Sequence, residues 1–185
     1  MSFKGVIIDA PWAFATYSAK GITRKGAGGQ YSTMTLDEIK KFPIADHLAP
    51  DAWVLMWTTW PMLRHGLETL DAWGLSYCTG GAWAKQSKTG AMWAFGTGYV
   101  LRSASEPFLI GKKGKPKPMS RSARNLLVAP VREHSRKPDS QYALMESLSE
   151  GPWAEFFSRA GPREGWTMYG DEVGKFGDDQ VKKAG

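Results

Sequence analysis

The chain has 185 residues, 42% hydrophobic and 23% charged, with a single cysteine, Cys78, and a formal net charge of +6. That length allows one domain with a sizeable core, and the lone cysteine excludes an internal disulfide framework and points to a reducing compartment. No apolar run approaches the roughly 20 residues a membrane span requires, and the opening "MSFKGVIIDAPW" lacks a signal-peptide pattern because Asp9 interrupts its short apolar run. The expectation is a soluble, intracellular protein that does not engage a membrane.

Residues 6–8 (VII) are β-favouring aliphatics and read as a buried strand that runs straight into Asp9, Ala10, Pro11 and Trp12. A long glycine-containing loop follows, "SAKGITRKGAGGQYS", with a small basic cluster at 20–25. Thr35 then precedes Glu38 by three residues, a capping-box spacing, and Leu36 and Ile39 begin an apolar stripe, so a helix is expected from Thr35. Residues 52–57 (AWVLMW) form a short, fully apolar strand candidate. In residues 61–74, Pro61 suits the first turn of a helix, Gly74 its C-terminal cap, and Leu63, Leu67 and Leu70 share one face.

Further strands are expected at 75–85, 107–111 and 125–131, a helix at 138–148 burying Tyr142, Met145 and Leu148, and two last strands at 153–159 and 166–170. Seven strands, apolar on both faces and separated by helices, imply an α/β domain of Rossmann-like, doubly wound type, with a mostly parallel sheet covered by helices on both faces. The whole chain reads as one domain, with 174–185 as a polar C-terminal tail. In open sheets of this kind ligands bind beyond the carboxyl ends of the strands. Asp9, Lys85, Glu106 and the run after Val131 all fall near such an edge.

The charge is unevenly distributed. Residues 112–124, "KKGKPKPMSRSAR", hold Lys112, Lys113, Lys115, Lys117, Arg121 and Arg124 and no acid; without those six, 18 basic residues face 18 acidic ones. The segment is either a solvated loop or one that contacts nucleic-acid phosphates. Nine tryptophans indicate a ring-rich core, a stacking surface, or both. Trp93, Phe95 and Tyr99, in the loop at 86–104, either complete the core or, with the loop at 13–30 and the basic segment, line a nucleic-acid groove.

Several chemistries drop out. His47, His65 and His134 are isolated, so no Cys/His spacing resembles a zinc site. There is no nucleophile elbow, "GTG" at 96–98 is only a fragment of a phosphate loop, and no glycine fingerprint follows the first strand. Taken alone, Asp9-Ala10-Pro11-Trp12 is either an ordinary Asp-x-Pro turn or a receptor for a planar amino group. In the second reading the Asp9 carboxylate and the Ala10 carbonyl each accept one hydrogen of an exocyclic NH₂, and Trp12 stacks on the ring. Pro11 biases Ala10 toward an extended conformation. Holding both hydrogens this way makes the nitrogen a better nucleophile toward a methyl sulfonium.

From residue 6 to about residue 173 the sequence resembles the MT-A70 family of S-adenosylmethionine-dependent adenine-N6 methyltransferases. The blocks that carry the resemblance are "DAPW" (9–12), "YSTMTLDEI" (31–39), "LRSASEPFLIGKKG" (101–114), "REHSRKPD" (132–139) and "FFSRAGPREGWTMYGDEV" (156–173). Ala10 departs from the family's Asp-Pro-Pro-Trp, keeping the carbonyl acceptor and losing some rigidity. The resemblance implies a permuted motif order, with the catalytic segment ahead of the cofactor segments. Asp9, Ala10, Pro11 and Trp12 would form the amino-group site. Ile8, Asp9, His134, Ser135, Lys137, Phe157, Asp171 and Glu172 would line the cofactor side, with Lys137 and His134 toward its carboxylate or ribose and Asp171 and Glu172 on ribose hydroxyls.

Tyr17 either stacks on the target base or packs under its own loop. Lys85 either reaches the ligand or ends a strand, and Arg102 and Glu106 are expected to pair with each other. The implied activity is methyl transfer from S-adenosylmethionine, leaving S-adenosylhomocysteine, to adenine N6 without a metal. Duplex adenine must be flipped out, or already single-stranded. DNA is preferred over RNA, and a catalytically inert nucleic-acid-binding partner subunit is the reading from another class. A homodimer or a partner subunit fits the absence of room for a separate recognition domain. The compact form suggests a bacterial or phage-like protein of the cytoplasm.

Overall fold

A computed structural model describes residues 1–13, 33–98 and 100–177. Strand β1 (Phe3–Ile8) leads to a one-and-a-half-turn helix α1 (Leu36–Lys41), a single turn α2 (Ile44–His47) and strand β2 (Leu48–Trp57). Helix α3 (Leu63–Ala72), strands β3 (Ser76–Gln86), β4 (Ser105–Lys113) and β5 (Leu126–Pro130), helix α4 (Ser140–Leu148) and strands β6 (Trp153–Phe156) and β7 (Trp166–Tyr169) complete it.

Local chemistry sets several of these boundaries. The Thr35 hydroxyl accepts the Glu38 N–H at 3.3 Å while the Glu38 carboxylate accepts the Thr35 N–H at 2.7 Å, the reciprocal cap that the spacing predicts. Pro61 lies in a 3-10 turn (Trp60–Met62) that leads into α3, so the α-helix proper starts two residues later than the sequence suggested. Gly74, at φ +69°, reverses the chain after α3 in the left-handed conformation that glycine adopts without strain. β6 stops at Phe156, short of the expected residue 159, because Phe157 takes φ +59° and turns the chain out of the sheet.

The seven strands make one sheet in the order β5-β3-β4-β2-β1-β6-β7. Pairings β1–β2, β1–β6, β3–β5 and β6–β7 are parallel, whereas β4 runs antiparallel to both β2 and β3. The sheet is therefore mixed. A parallel return needs a crossover, usually a helix; the described residues between β3 and β4 hold none, and β4 runs back antiparallel beside β3.

Alternation along the strands divides the core. Val6, Ile8, Val54 and Met56 pack on one face against Ile39 of α1 and Leu70 of α3. Ile7, Leu55 and Trp57 pack on the other against Tyr142 and Met145 of α4. Burying each such aliphatic side chain contributes about 1.5–3 kcal/mol. With helices on both faces, the open ground for a ligand is the sheet's edge. The reversal of β4 brings its first residues to the edge where β1, β2 and β3 end.

Candidate active site

Asp9 is the first residue beyond β1, and its N–H donates to the Phe156 carbonyl at the end of β6 (3.4 Å). Its two carboxylate oxygens accept from the Lys137 ammonium at 2.8 and 2.7 Å. Lys137 also pairs with Glu106 at 3.2 Å, and Glu106 with Lys85 at 2.6 Å. Four alternating charges thus cross the carboxyl edge from β3 to β1, and side-chain exposure is only 4% at Lys137 and 19% at Asp9. Glu106 takes part because β4 is antiparallel. Its expected partner, Arg102, instead lies over the Phe95 ring at 5.2 Å.

The electrostatics follow from that row. Burial by itself would lower the Lys137 ammonium, but the Asp9 and Glu106 carboxylates outweigh it and hold the group above the ordinary lysine value. Burial works against ionisation of Glu106, yet Lys137 and Lys85 bring it below the usual carboxylate value. Asp9 is raised, chiefly by burial, against the opposing pull of Lys137. His134 is lowered by desolvation and by the cations Arg159, Lys137 and Lys85.

Two cavities meet at Asp9, Phe157 and Arg159. The larger, about 420 Å³, is bordered also by Ser135, Lys137, Tyr142 and Glu155. The smaller, about 150 Å³, is bordered also by Ala10, Pro11, Asp171 and Glu172. The larger volume falls within the ~300–1,000 Å³ of small-molecule pockets. Ser135 (φ +61°) and Phe157 (φ +59°) are the described non-glycine residues in left-handed backbone, and both border the larger cavity. Such conformations cost about 1–3 kcal/mol each and concentrate at functional sites. The Ser135 carbonyl is fixed by the Arg159 guanidinium at 3.0 Å.

Beneath the larger cavity, Glu155 Oε2 accepts from the Tyr142 hydroxyl at 2.7 Å and the Ser158 hydroxyl at 2.8 Å. Burial raises both Glu155 and Tyr142. On the other side, Glu172 Oε2 is buried with no hydrogen-bond partner among the described residues, while Oε1 accepts from Lys175. The donor and acceptor set fits S-adenosylmethionine. Arg159 would present a cation to its carboxylate, Phe157 a ring to its base, and Asp171 and Glu172 acceptors to its hydroxyls, whereas the Lys137 ammonium is taken up by Asp9 and Glu106.

Other residues singled out from the sequence lie elsewhere. Trp12 is 5% exposed, its indole N–H donating to the Trp57 carbonyl at 3.3 Å, so the ring packs in the core under the turn and borders neither cavity. Ile8 is fully buried in the same core. The Ala10 carbonyl accepts the Trp12 N–H at 2.9 Å, leaving one lone pair. His134 is exposed and borders neither cavity.

Lys85 sits at the correct edge but is engaged by Glu106. Lys112 pairs in register with Trp53, opposite Gly5 of β1, so it lies about 13 Å from Asp9 along the strands, near the other edge. Lys113 donates to the Ala45 and Leu48 carbonyls, and Lys115 N–H to Asp51. Lys117, Arg121 and Arg124 follow in the same connection to β5, which hydrogen-bonds to the C-terminal end of α4 through Met119 and Ser120. The basic segment and Asp9 therefore do not share one groove. Tyr17, Tyr99, the 20–25 cluster and residues 178–185 lie outside the described residues.

Glu155 and Arg159 were not picked out from the sequence, and Tyr142 was expected only as a buried residue of its helix. A lone glutamate inside the apolar run "WAEFF" was the available signal, since carboxylates are almost never fully buried without partners.

A sequence profile of the MT-A70 family matches residues 3–172. A putative N(6)-adenosine-methyltransferase MT-A70-like of Medicago truncatula is 32% identical over 146 residues, 77% of this chain and 24% of the relative. The N(6)-adenosine-methyltransferase catalytic subunit METTL3 of Homo sapiens is 31% identical over 147 residues, 77% of this chain and 25% of the relative. The type II methyltransferase M.MunI of Mycoplasma sp is 30% identical over 154 residues, 80% of this chain and 61% of the relative. The chain thus spans about a quarter of the length of the N(6)-adenosine-methyltransferases it matches.

Proposed function

The chain belongs to the MT-A70 family, and from that membership we propose that it transfers a methyl group from S-adenosylmethionine to the N6 amino group of adenine in nucleic acid, with DNA as the substrate. The observation that carries this reading is Asp9, a carboxylate at the end of β1 that is held by Lys137 and borders both cavities.

The chemistry asked of these residues is specific. The adenine amino nitrogen is a weak nucleophile because its lone pair is shared with the ring. A carboxylate has about four acceptor sites; Lys137 uses one on each Asp9 oxygen, and one on each remains. Asp9 accepts one N–H and the second lone pair of the Ala10 carbonyl accepts the other, which draws electron density onto the nitrogen. S-adenosylmethionine, when bound, supplies an electrophilic methyl on a sulfonium. As the N–C bond would form and the methyl's bond to sulfur break, releasing S-adenosylhomocysteine, the nitrogen would become cationic and have to lose a proton; Asp9, raised by burial, is the acceptor that borders both cavities. Lys137 keeps the carboxylate oriented throughout.

DNA is favoured because the match covers 61% of the length of the type II methyltransferase M.MunI, against about a quarter of the N(6)-adenosine-methyltransferases. RNA is the second reading, favoured by the names of the N(6)-adenosine-methyltransferase relatives. Labelled S-adenosylmethionine with adenine-containing DNA and RNA oligonucleotides, single-stranded and duplex, separates the two. Faster labelling of DNA is the expected result. Label in RNA alone selects the second reading, and label in neither despite cofactor binding points to an inert partner subunit.

A further inference from the structure

Three large rings stand out from the protein at the edge that carries Asp9. Trp60 is 52% exposed, Trp93 62% and Phe95 79%. Trp60 follows β2, the neighbour of β1, and its indole N–H donates to Ser105 Oγ at 3.0 Å. Trp93 and Phe95 lie in the connection from β3 to β4, both ends of which are at this edge.

Rings that merely failed to find a core would be expected on a loose carrier, but this backbone is tied down. Ser87 N–H donates to the Met92 carbonyl at 2.7 Å, Ala94 N–H to Lys85 at 2.8 Å and Gly96 N–H to Ser103 at 2.9 Å. At Gly98 a Cβ would stand 1.8 Å from the Leu101 carbonyl, so the turn depends on glycine. The rings are therefore displayed on a preorganised support.

Their surroundings combine cations with the exposed aliphatic side chains of Met92 and Leu101. Arg102 stacks on Phe95, Lys88 is exposed, and residues 86–105 contain no acid. The Lys85–Glu106–Lys137–Asp9 row connects the base of the loop to the candidate catalytic carboxylate. β3 lies three strands from β1, about 14 Å at sheet spacing, a distance that about four stacked nucleotides span at ~3.4 Å each.

We infer that Trp60, Trp93 and Phe95, with Arg102, form a stacking platform for an unpaired stretch of nucleic acid flanking the target adenine. This rests on the methyltransferase reading and adds to it the strandedness of the substrate. Flat rings interleaved with cations bind single strands with little sequence preference, because every base offers a π-face. Duplex DNA, whose bases face one another, cannot use the platform without opening.

The test is fluorescence anisotropy with a labelled twelve-nucleotide single strand containing adenine and with its duplex, using native protein, Trp93→Ala/Phe95→Ala and Phe95→Tyr. Native protein should bind the single strand more tightly than the duplex. The double alanine variant should lose at least tenfold in single-strand affinity, while Phe95→Tyr retains it and calorimetric affinity for S-adenosylmethionine stays unchanged. Undiminished single-strand binding by the double variant would overturn the platform. So would a native dimer that the double variant converts to monomers without a change in oligonucleotide affinity, which would make the patch a protein interface. Methylation assays on the same proteins keep the two readings apart. Ring-dependent binding without methyl transfer defeats only the catalytic assignment, and transfer with ring-independent binding defeats only the platform.

Discussion

Replacing Lys137 by methionine should destabilise the protein by about 3–5 kcal/mol at pH 7.5, the usual cost of removing one partner of a buried ion pair. At an effective dielectric near 20, attraction at 2.7 Å to Asp9 and 3.2 Å to Glu106 is about 6 and 5 kcal/mol. Desolvation of the ammonium, which is 4% exposed, offsets much of that sum. What remains in the variant is two carboxylates, 19% and 14% exposed, without their shared cation. The sign with pH is fixed. Lys137 is raised, so its contribution is complete below the ordinary lysine value and is lost only as pH rises through its higher folded value. Glu106 is lowered, so its contribution is present above the ordinary carboxylate value and fades as pH falls through its folded value. Asp9 is raised by burial even with Lys137 in place, and without that cation both carboxylates move up, so the native–variant gap should shrink as pH falls from 7.5 toward 4.5 and the stranded carboxylates take up protons.

Urea unfolding with a constant slope measures the gap, and a thermal scan at pH 7.5 should show a fall of about 6–20 °C. Adding Asp9→Asn and Glu106→Gln to Lys137→Met should recover much of the loss, because the two stranded carboxylates are then neutral and only Lys85, 23% exposed, loses a charged partner. A loss under about 1 kcal/mol, or one that is the same at pH 4.5 and pH 7.5, would refute the charge row as described.

Thr35→Ala should cost about 0.5–2 kcal/mol by opening the α1 capping box, read by urea unfolding. Glu155→Gln mimics the protonated form of a carboxyl that burial raises, so the variant's stability relative to the native protein should rise as pH increases above the ordinary glutamate value; a pH-independent difference would contradict the burial argument. Glu172→Ala removes the unpartnered Oε2 and should weaken S-adenosylmethionine binding by about 10–100-fold in calorimetry, the loss of one charge-assisted hydrogen bond.

What was legible in the sequence was what short range dictates. Thr35 and Glu38 announce their cap, Leu63, Leu67 and Leu70 their common face, and residues 6–8 a strand ending at a carboxylate. Direction was harder: nothing within residues 107–111 says which way β4 runs, and the helix-free 87–104 connection was the overlooked clue. That single reversal decides that Glu106 pairs with Lys137 and that Lys112 and its neighbours go to the far edge. Trp12 misled because an indole after Asp-x-Pro suits a stacking wall equally well, and only tertiary packing under the turn shows it filling the core. The left-handed backbones of Ser135 and Phe157 had no local signal, since neither residue type favours that conformation.

The central claim is that Asp9 handles the adenine amino group, and Asp9→Asn tests it most directly. The amide keeps the shape and leaves Lys137 its contact with Glu106. Single-turnover transfer of labelled methyl to an adenine oligonucleotide should fall at least about a hundredfold, the low end of what a positioned acid–base group contributes, while S-adenosylmethionine affinity changes far less. Transfer within twofold of the native rate by a folded Asp9→Asn protein would contradict the assignment.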